Sequence, residues 1–289
     1  MHNGLTNRLI LPPVKPGYRP QASDTSIETD AFEFALLRQR SNSDRIEMSA
    51  ALTQGARQLC LCGLRQTHSS LSETAFAQAI AQAFLGKNCP NEFTPMGNEM
   101  TWIQDSIALA VKLHTIFEEL NILYYITGGV AASTYGEPRT TRDLDVVIAV
   151  SLSNLDRLVQ RLEIEGFYVP GVEDVRSGKM QILGITHRET IARADLILAG
   201  ARDFDREKFS RRREIFIQGR GTLYLASPED IILNKLRWGA QSQSEKQWRD
   251  VLGILKIQSQ NLDFNYLNQQ AEQIGLSSAL ARAITEAGL

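Results

Sequence analysis

The stretch LYYITGGVAASTYGEPRTTRDLDVVIAV, residues 123–150, decides the fold that we predict for this chain. Its apolar start, Leu123–Ile126, is typical of a buried strand and breaks at Gly128 and Gly129. Small residues then predict a short helix, and a charged loop leads into a second strand, DLDVVI, which begins at Asp143. The pattern predicts a strand, a helix and a second strand in close succession.

The second strand carries two aspartates at alternate positions. Side chains alternate between the two faces of a strand, so Asp143 and Asp145 point to one face while Leu144 and Val146 point to the other. Two neighbouring carboxylates repel each other, and a hard divalent cation such as Mg²⁺ removes that penalty. The aspartate pair is therefore a candidate metal site.

The glycine turn is a candidate phosphate site. Because Gly128 and Gly129 have no side chains, backbone N–H groups at this turn can approach a phosphate closely. The helix that follows would direct the positive end of its dipole to the same point. A phosphate-binding turn beside a carboxylate pair indicates chemistry on a nucleoside triphosphate.

This order of motifs resembles the nucleotidyltransferase superfamily with the polymerase-β-like minimal core. The motifs are the Gly-Gly turn, the Pro-Arg-Thr-Thr segment at 138–141 and the Asp-x-Asp strand, and the resemblance covers residues 99–255. The sequences of these motifs are most similar to those of the toxin-type AbiEii-like branch. The resemblance implies a Mg-dependent enzyme that transfers a nucleoside monophosphate from an NTP to an acceptor hydroxyl.

The resemblance also implies roles for individual residues. Asp143 and Asp145 would hold two Mg²⁺ ions, and Asp195, on a later strand, would be the third metal ligand and catalytic carboxylate. Gly128 and Gly129 would position the β- and γ-phosphates. The other nucleotide-binding candidates are polar residues near the turn and in a later Lys…Arg-Asp segment: Ser133, Arg139, Arg142, Lys235 and Asp250.

Four of these residues have a structural alternative to the implied role. Asp195 could be a strand-end carboxylate exposed to water. Arg139 could pair with Glu137 in its own loop, and Lys235 and Asp250 could form ion pairs on a helix surface.

The predicted fold class is α+β, with a mixed sheet in the order β-α-β-α-β-β-β. A nucleotidyltransferase core at 98–226 would be flanked by a helical N-terminal module at 29–97 and a helical C-terminal subdomain at 227–289. Residues 1–28 are rich in Pro, Ser, Thr and Gly and predict a mobile arm with one extended piece at 9–11.

The charge and composition of the chain indicate which acceptors and which cellular compartment to expect. A formal net charge of −2 predicts no global attraction to nucleic acid, but a basic cluster favours RNA as the acceptor over a protein or a small molecule. The cluster comprises Arg202, Arg206, Lys208, Arg211, Arg212 and Arg213. Without a signal-peptide pattern, a membrane span or metal-type cysteine spacing, we expect a cytoplasmic protein.

Three functional hypotheses stay open on the sequence alone. The first is a toxin-like or regulatory nucleotidyltransferase acting on RNA, such as tRNA, or on protein, with an antitoxin partner or self-association through the helical regions. The second is an enzyme that modifies a small hydroxylated molecule such as an antibiotic. The third is a catalytically idle relative that serves as an interaction module. The fold does not choose among acceptors.

Overall fold

A mixed sheet of seven strands, counted over the residues that the structure describes, carries the Asp-x-Asp strand at its centre. The structure is a computed structural model that describes residues 14–199, 203–242 and 244–289, with 203–206, 241 and 242 described by their backbone alone. In chain order the strands are β1 (Leu123–Ile126), β2 (Asp143–Ala149), β3 (Phe167–Tyr168), β4 (Ile182–His187), β5 (Ala192–Leu198), β6 (Arg213–Ile217) and β7 (Gly221–Leu225).

The strands lie in the order β3-β4-β5-β2-β1-β7-β6. β2 is antiparallel to β1 and parallel to β5, and β1 is parallel to β7. Along β2 the side chains of Leu144, Val146 and Ile148 are buried, whereas Asp143 and Asp145 are only half-buried. The predicted alternation therefore places the aspartates together on the less buried face of the central strand.

Helices make up most of the remaining described chain. In chain order they are α1 (Ile27–Arg38), α2 (Asn42–Thr67), α3 (Glu73–Leu85), α4 (Glu99–Trp102), α5 (Ser106–Glu119), α6 (Gly128–Tyr135), α7 (Leu152–Ile164), α8 (Val172–Arg176), α9 (Asp203–Arg211), α10 (Pro228–Ser242), α11 (Glu245–Gln258), α12 (Phe264–Gln273) and α13 (Ser277–Glu286). From β1 to β5 the order matches the predicted one except for an added short helix, α8, between β3 and β4. The mixed α+β class with flanking helices is confirmed.

The chain divides into two compact units. The sheet unit comprises residues 46–134 and 138–227, and the helical unit comprises 1–45, 135–137 and 228–289, the latter described from residue 14. This division groups residues 14–45 with the C-terminal helices and residues 46–97 with the sheet, whereas the composition of the sequence predicts a single module at 29–97.

Each unit has its own apolar packing. In the sheet unit, Phe76 and Ile80 of α3 pack with Trp102 and with Ile191, which immediately precedes β5. In the helical unit, α1 packs on α11 through a cluster of Phe34, Leu37 and Ile257. Burial of such apolar surface is the main stabilising contribution to each unit.

A buried ion pair also joins α1 to α11. Lys256 Nζ donates to Asp30 Oδ2 at 2.7 Å and to the Arg19 carbonyl oxygen at 2.7 Å, and both paired side chains are almost fully buried. Tyr18 donates its hydroxyl to the same carboxylate, which fixes the described part of the predicted arm onto the helical unit.

Two sequence-based boundaries are wrong, and one prediction lies outside the described residues. In the sequence, Gly63 predicts the end of a helix, but α2 continues to Thr67, since a single interior glycine weakens a helix without ending it. Apolar periodicity predicts a helix over 102–120, but α5 begins only at Ser106, because Asp105 caps it by accepting from the Ile107 and Ala108 N–H groups. The extended piece predicted at 9–11 lies outside the described residues.

No helix among the residues that the structure describes combines the length and the apolar character needed to cross a membrane.

Candidate active site

The ends of β1 and β2 bring the glycine turn to the Asp-x-Asp motif. The two strands pair in antiparallel register with Ile126 opposite Val146. One residue further, the Thr127 N–H donates to the carbonyl oxygen of Asp145 at 2.9 Å. The turn that begins at Gly128 therefore lies directly beside Asp145.

Gly128 is the residue that this arrangement requires to be glycine. Its φ of +63° is left-handed, a conformation that is costly for other residues. A Cβ at this position would lie only 1.8 Å from Asp145 Oδ2. Gly129 has no such φ, and its Cβ would meet Thr141 Cγ2 at 3.0 Å and Arg139 Nη2 at 3.4 Å. Gly128 is thus enclosed by Asp145 of the Asp-x-Asp motif, and Gly129 by residues of the Pro-Arg-Thr-Thr segment.

The parallel pairing of β2 with β5 adds two further charged residues. In the register of the two strands, Asp145 is opposite Asp195 and Asp143 is opposite Arg193. Residues that are opposite each other on neighbouring strands point to the same face of the sheet. We call Asp143, Asp145, Arg193 and Asp195 the site quartet; all four side chains are half-buried.

Within the site quartet, Arg193 is bound to Asp195. Arg193 Nη2 donates to Asp195 Oδ1 at 2.5 Å, and the side chains are 17% and 20% exposed. Burial raises the pKa of the Asp195 carboxyl, the Arg193 guanidinium opposes that rise, and the nearby Asp143 carboxylate adds to it. The alternative that Asp195 is a carboxylate exposed to water does not describe this geometry.

Space for the Arg193 side chain comes from a glycine on the next strand. Gly184 of β4 is opposite Asp195, and a Cβ at this position would lie 2.6 Å from Arg193 Nη2. Arg193 Nη1 also donates to the carbonyl oxygen of Asn88 at 3.5 Å. Arg193 was not among the residues predicted for the site, although its i, i+2 spacing places it on the same strand face as Asp195.

The donor set fits a divalent cation at Asp143 and Asp145. Carboxylate oxygens are hard ligands, and the two aspartates share one face of β2 beside a turn with little side-chain bulk. Over the part of the chain that the structure describes, no three His, Cys, Asp or Glu side chains form a metal-binding group. The Asp195 carboxylate does not complete such a group with Asp143 and Asp145, because it is bound to the Arg193 guanidinium.

The remaining candidates of the sheet unit differ in their exposure. Ser133 is fully buried in α6, and its hydroxyl has no hydrogen-bond partner among the described residues. Arg139 is half-buried and donates to the Thr140 carbonyl oxygen at 3.1 Å, whereas Arg142 is exposed. Ser133 therefore does not face solvent, in contrast to the two arginines.

The two candidates of the helical unit pair with each other. Lys235 Nζ of α10 and Asp250 Oδ2 of α11 are 2.8 Å apart, and both side chains are nearly fully buried. In the same unit, Arg249 Nη2 donates to Glu137 Oε1 at 2.5 Å. The ion-pair alternative for Lys235 and Asp250 is thus present in the structure, as an interior pair rather than a surface one.

The basic cluster is less open than its composition indicates. Arg202 lies outside the described residues, as does the side chain of Arg206. The Arg212 guanidinium lies over the Tyr224 ring at 4.5 Å, and Arg211 and Lys208 are half-buried. Among the described members of the cluster, Arg213 of the edge strand β6 is the exposed one.

Comparison with known proteins gives similarity to solved structures. No protein-family model matches the chain, and no curated protein matches it. It is similar to an antigenic nucleotidyltransferase-like protein from Paracoccidioides brasiliensis, with 23% identity, a TM-score of 0.41, and coverage of 65% of this chain and 95% of that chain. It is similar to ANT(2″)-Ia in complex with adenylyl-2″-tobramycin, with 16% identity, a TM-score of 0.43, and coverage of 61% and 98%. For the lincomycin-bound lincosamide antibiotic adenylyltransferase LnuA, the identity is 15%, the TM-score 0.38 and the coverage 50% and 94%.

Proposed function

We propose that this chain is a nucleotidyltransferase that moves a nucleoside monophosphate from an NTP to an acceptor hydroxyl, with Mg²⁺ held at Asp143 and Asp145. The contact between Gly128 and Asp145 carries this proposal, because it puts a turn suited to phosphate next to a carboxylate suited to a divalent cation. Within this proposal we assign the chain to the AbiEii-like toxin-type branch, which rests on the resemblance of the Gly-Gly, Pro-Arg-Thr-Thr and Asp-x-Asp motifs alone.

Residues of the sheet unit would bind the phosphates, bind the divalent cation and neutralise the leaving group. Backbone N–H groups at Gly128 and Gly129 would donate to phosphate oxygens, and the dipole of α6 would favour their negative charge. Asp143 and Asp145 would bind the divalent cation, which when bound neutralises charge on the phosphates and on the attacking oxygen. Arg142, which is exposed, and Arg139 would neutralise charge on the leaving pyrophosphate.

The bond changes are those of an in-line substitution at phosphorus. The acceptor oxygen would form a bond to the α-phosphorus while the bond from that phosphorus to the bridging oxygen breaks, so that pyrophosphate leaves. The hydroxyl proton would be lost to Asp195 or to solvent. The assignments of Ser133, Lys235 and Asp250 to nucleotide binding rest on the resemblance alone and stay predictions.

Label transfer tests the proposal. The purified chain is incubated with each α-labelled NTP and Mg²⁺, together with total tRNA, lysate protein or a set of hydroxylated antibiotics, and each fraction is assayed for label. We expect label in one fraction, dependent on Mg²⁺ and lost in Asp143→Asn and Asp145→Asn. Asp174→Asn, which removes a half-exposed carboxylate on α8, is the matched control and should transfer label normally.

The outcomes separate the open acceptors. Label in RNA supports the acceptor that the basic cluster favours, whereas label in protein or in an antibiotic moves the assignment to that class. If the folded chain transfers no label from any NTP and binds none in the presence of Mg²⁺, the proposal is wrong and the interaction-module hypothesis takes its place.

A further inference from the structure

The Asp195 carboxylate already has a cationic partner, the side chain of Arg193 in the same chain. The guanidinium of Arg193 binds the Asp195 carboxylate at 2.5 Å, at a position where the sequence predicts a third metal ligand. About four-fifths of each side chain is buried, so the ion pair is poorly screened by solvent. A divalent ion that used this carboxylate would have to compete with a neighbouring charge that cannot diffuse away.

The sheet holds the guanidinium in this place. Arg193 and Asp195 are on one face of β5, and the missing side chain of Gly184 on β4 opens the room that Arg193 Nη2 occupies. The Arg193 Nε–H is buried without a hydrogen-bond partner among the described residues. The position of the guanidinium is therefore determined by Asp195, by the Asn88 carbonyl oxygen and by the gap at Gly184.

The charge of the site quartet favours a single divalent ion. Three ionised carboxylates and one guanidinium leave a net charge of −2, which one divalent cation neutralises. Without the guanidinium, the same face would carry three carboxylates, and two divalent ions would be needed to neutralise them. A guanidinium is charged at every physiological pH, so it supplies this charge permanently.

We propose that Arg193 is a positioning residue that takes the place of the second divalent ion: it holds Asp195, and the chain binds one ion, on Asp143 and Asp145. The inference rests on the proposed function for the identity of the site. It differs from the sequence-based prediction of two Mg²⁺ ions, and it makes a change of ion stoichiometry, rather than of activity, the quantity to measure.

The experiment counts Mn²⁺ ions by electron paramagnetic resonance, which detects the free aqueous ion, in titrations of the full chain without nucleotide. We expect one Mn²⁺ per wild-type chain and a second, weaker Mn²⁺ in Arg193→Gln. The second ion should be lost again in Arg193→Gln/Asp195→Asn, because Asp195 would be its ligand. Arg188→Gln is the matched control: it removes the same charge from the residue after β4, where Arg188 lies over the Tyr168 ring at 5.1 Å.

Arg193→Lys covers the case in which Arg193→Gln does not fold, because it retains the positive charge and should still bind one Mn²⁺. Two Mn²⁺ ions on the wild-type chain would overturn the inference and leave the proposed function intact. An unchanged count in a folded Arg193→Gln variant would also overturn it. If the wild-type chain binds no Mn²⁺, or binds it unchanged in Asp143→Asn/Asp145→Asn, the metal site of the proposed function fails as well.

Discussion

Asp145 fills the space that a side chain at position 128 would need, since a Cβ there would lie 1.8 Å from the Asp145 Oδ2 atom. The relationship joins the two halves of the proposed site, the turn and the metal-binding strand. It also defines which of the two glycines is indispensable, because Gly128 has a left-handed φ and Gly129 does not. Comparing a substitution at Gly128 with one at a left-handed glycine that has open space around its Cβ separates the cost of backbone strain from the cost of displacing the carboxylate.

We expect Gly128→Ala to lose both stability and divalent-dependent nucleotide binding. Its left-handed φ should cost about 1–2 kcal/mol, and the clash with Asp145 should add to that cost. The matched control is Gly178→Ala, which has a φ of +75° but open space around its Cβ. It should show the backbone cost alone and bind nucleotide normally. Urea unfolding and calorimetry measure the two effects, and equal behaviour of the two variants would contradict the assignment.

We expect Asp143→Asn and Asp145→Asn to abolish divalent binding without unfolding the chain. In the presence of EDTA each variant should melt no lower than the wild type, because each removes a carboxylate from a face that carries three. With Mn²⁺ added, only the wild type and the Asp174→Asn control should gain stability, as ligand binding to the folded state requires. A wild-type chain whose melting temperature is insensitive to Mn²⁺ would argue against the site.

We expect Arg193 and Asp195 to be energetically coupled in a double-mutant cycle with Gln and Asn. Removing one partner of a buried pair leaves an uncompensated charge and costs on the order of 3 kcal/mol, whereas removing both costs less than the sum of the single losses. The comparison pair is Arg176 and Asp156, which are 42% and 69% exposed. Its coupling should stay below about 1 kcal/mol. Urea unfolding in EDTA measures both cycles, and additive losses at Arg193 and Asp195 would disprove the coupling.

We expect stability to fall on acidification because of His187. Its Nε2 lies 3.2 Å from the Glu165 carbonyl oxygen, so Nε2 must donate, and Nδ1 then accepts from the Thr190 hydroxyl at 3.0 Å. Burial is the main cause that lowers the pKa of His187, and the Lys112 charge adds to it. The unfolded chain therefore binds the proton more readily, and stability is lost as the pH falls below about 6.5.

Thermal melts at about pH 8 and about pH 5.5 test this expectation. Each kcal/mol of destabilisation should lower the melting temperature by about 2–4 °C. The drop should be smaller in His187→Gln than in the wild type. His68→Gln, at the C-terminal end of α2, is the control and should retain the wild-type drop. If His187→Gln keeps the full drop, other groups cause the acid sensitivity.

Local sequence patterns were enough to predict the strands that carry the site. The apolar run at 123–126 and the alternation from Asp143 onward correspond to β1 and β2, because burial of one strand face imposes a period of two. The helix at 73–85 was also predictable, since Ser72 accepts from the Ala75 N–H as an N-cap. These features depend on residues close together in the chain.

The arrangement around Asp195 was not predictable in the same way. The pairing of β5 with β2 depends on contacts between distant segments, and no local pattern states which strand becomes a neighbour. The role of Gly184 depends on a side chain from another strand, so the glycine alone gave no signal. Asp105 has a short-range cap signal, yet the apolar periodicity that extends before it predicted a helix start at residue 102 instead of Ser106.

The parallel register of β2 and β5 has a consequence for the order of assembly. Gly128 lies just after β1 and Asp145 lies on β2, the next strand in the chain, whereas Asp145 and Asp195 are separated by α7, β3, α8 and β4. Closing the longer loop costs more entropy, and such distant pairings form slowly. During synthesis the glycine turn can therefore meet its aspartate before Arg193 and Asp195 have emerged, and the built-in cation arrives last at a face that is already negative.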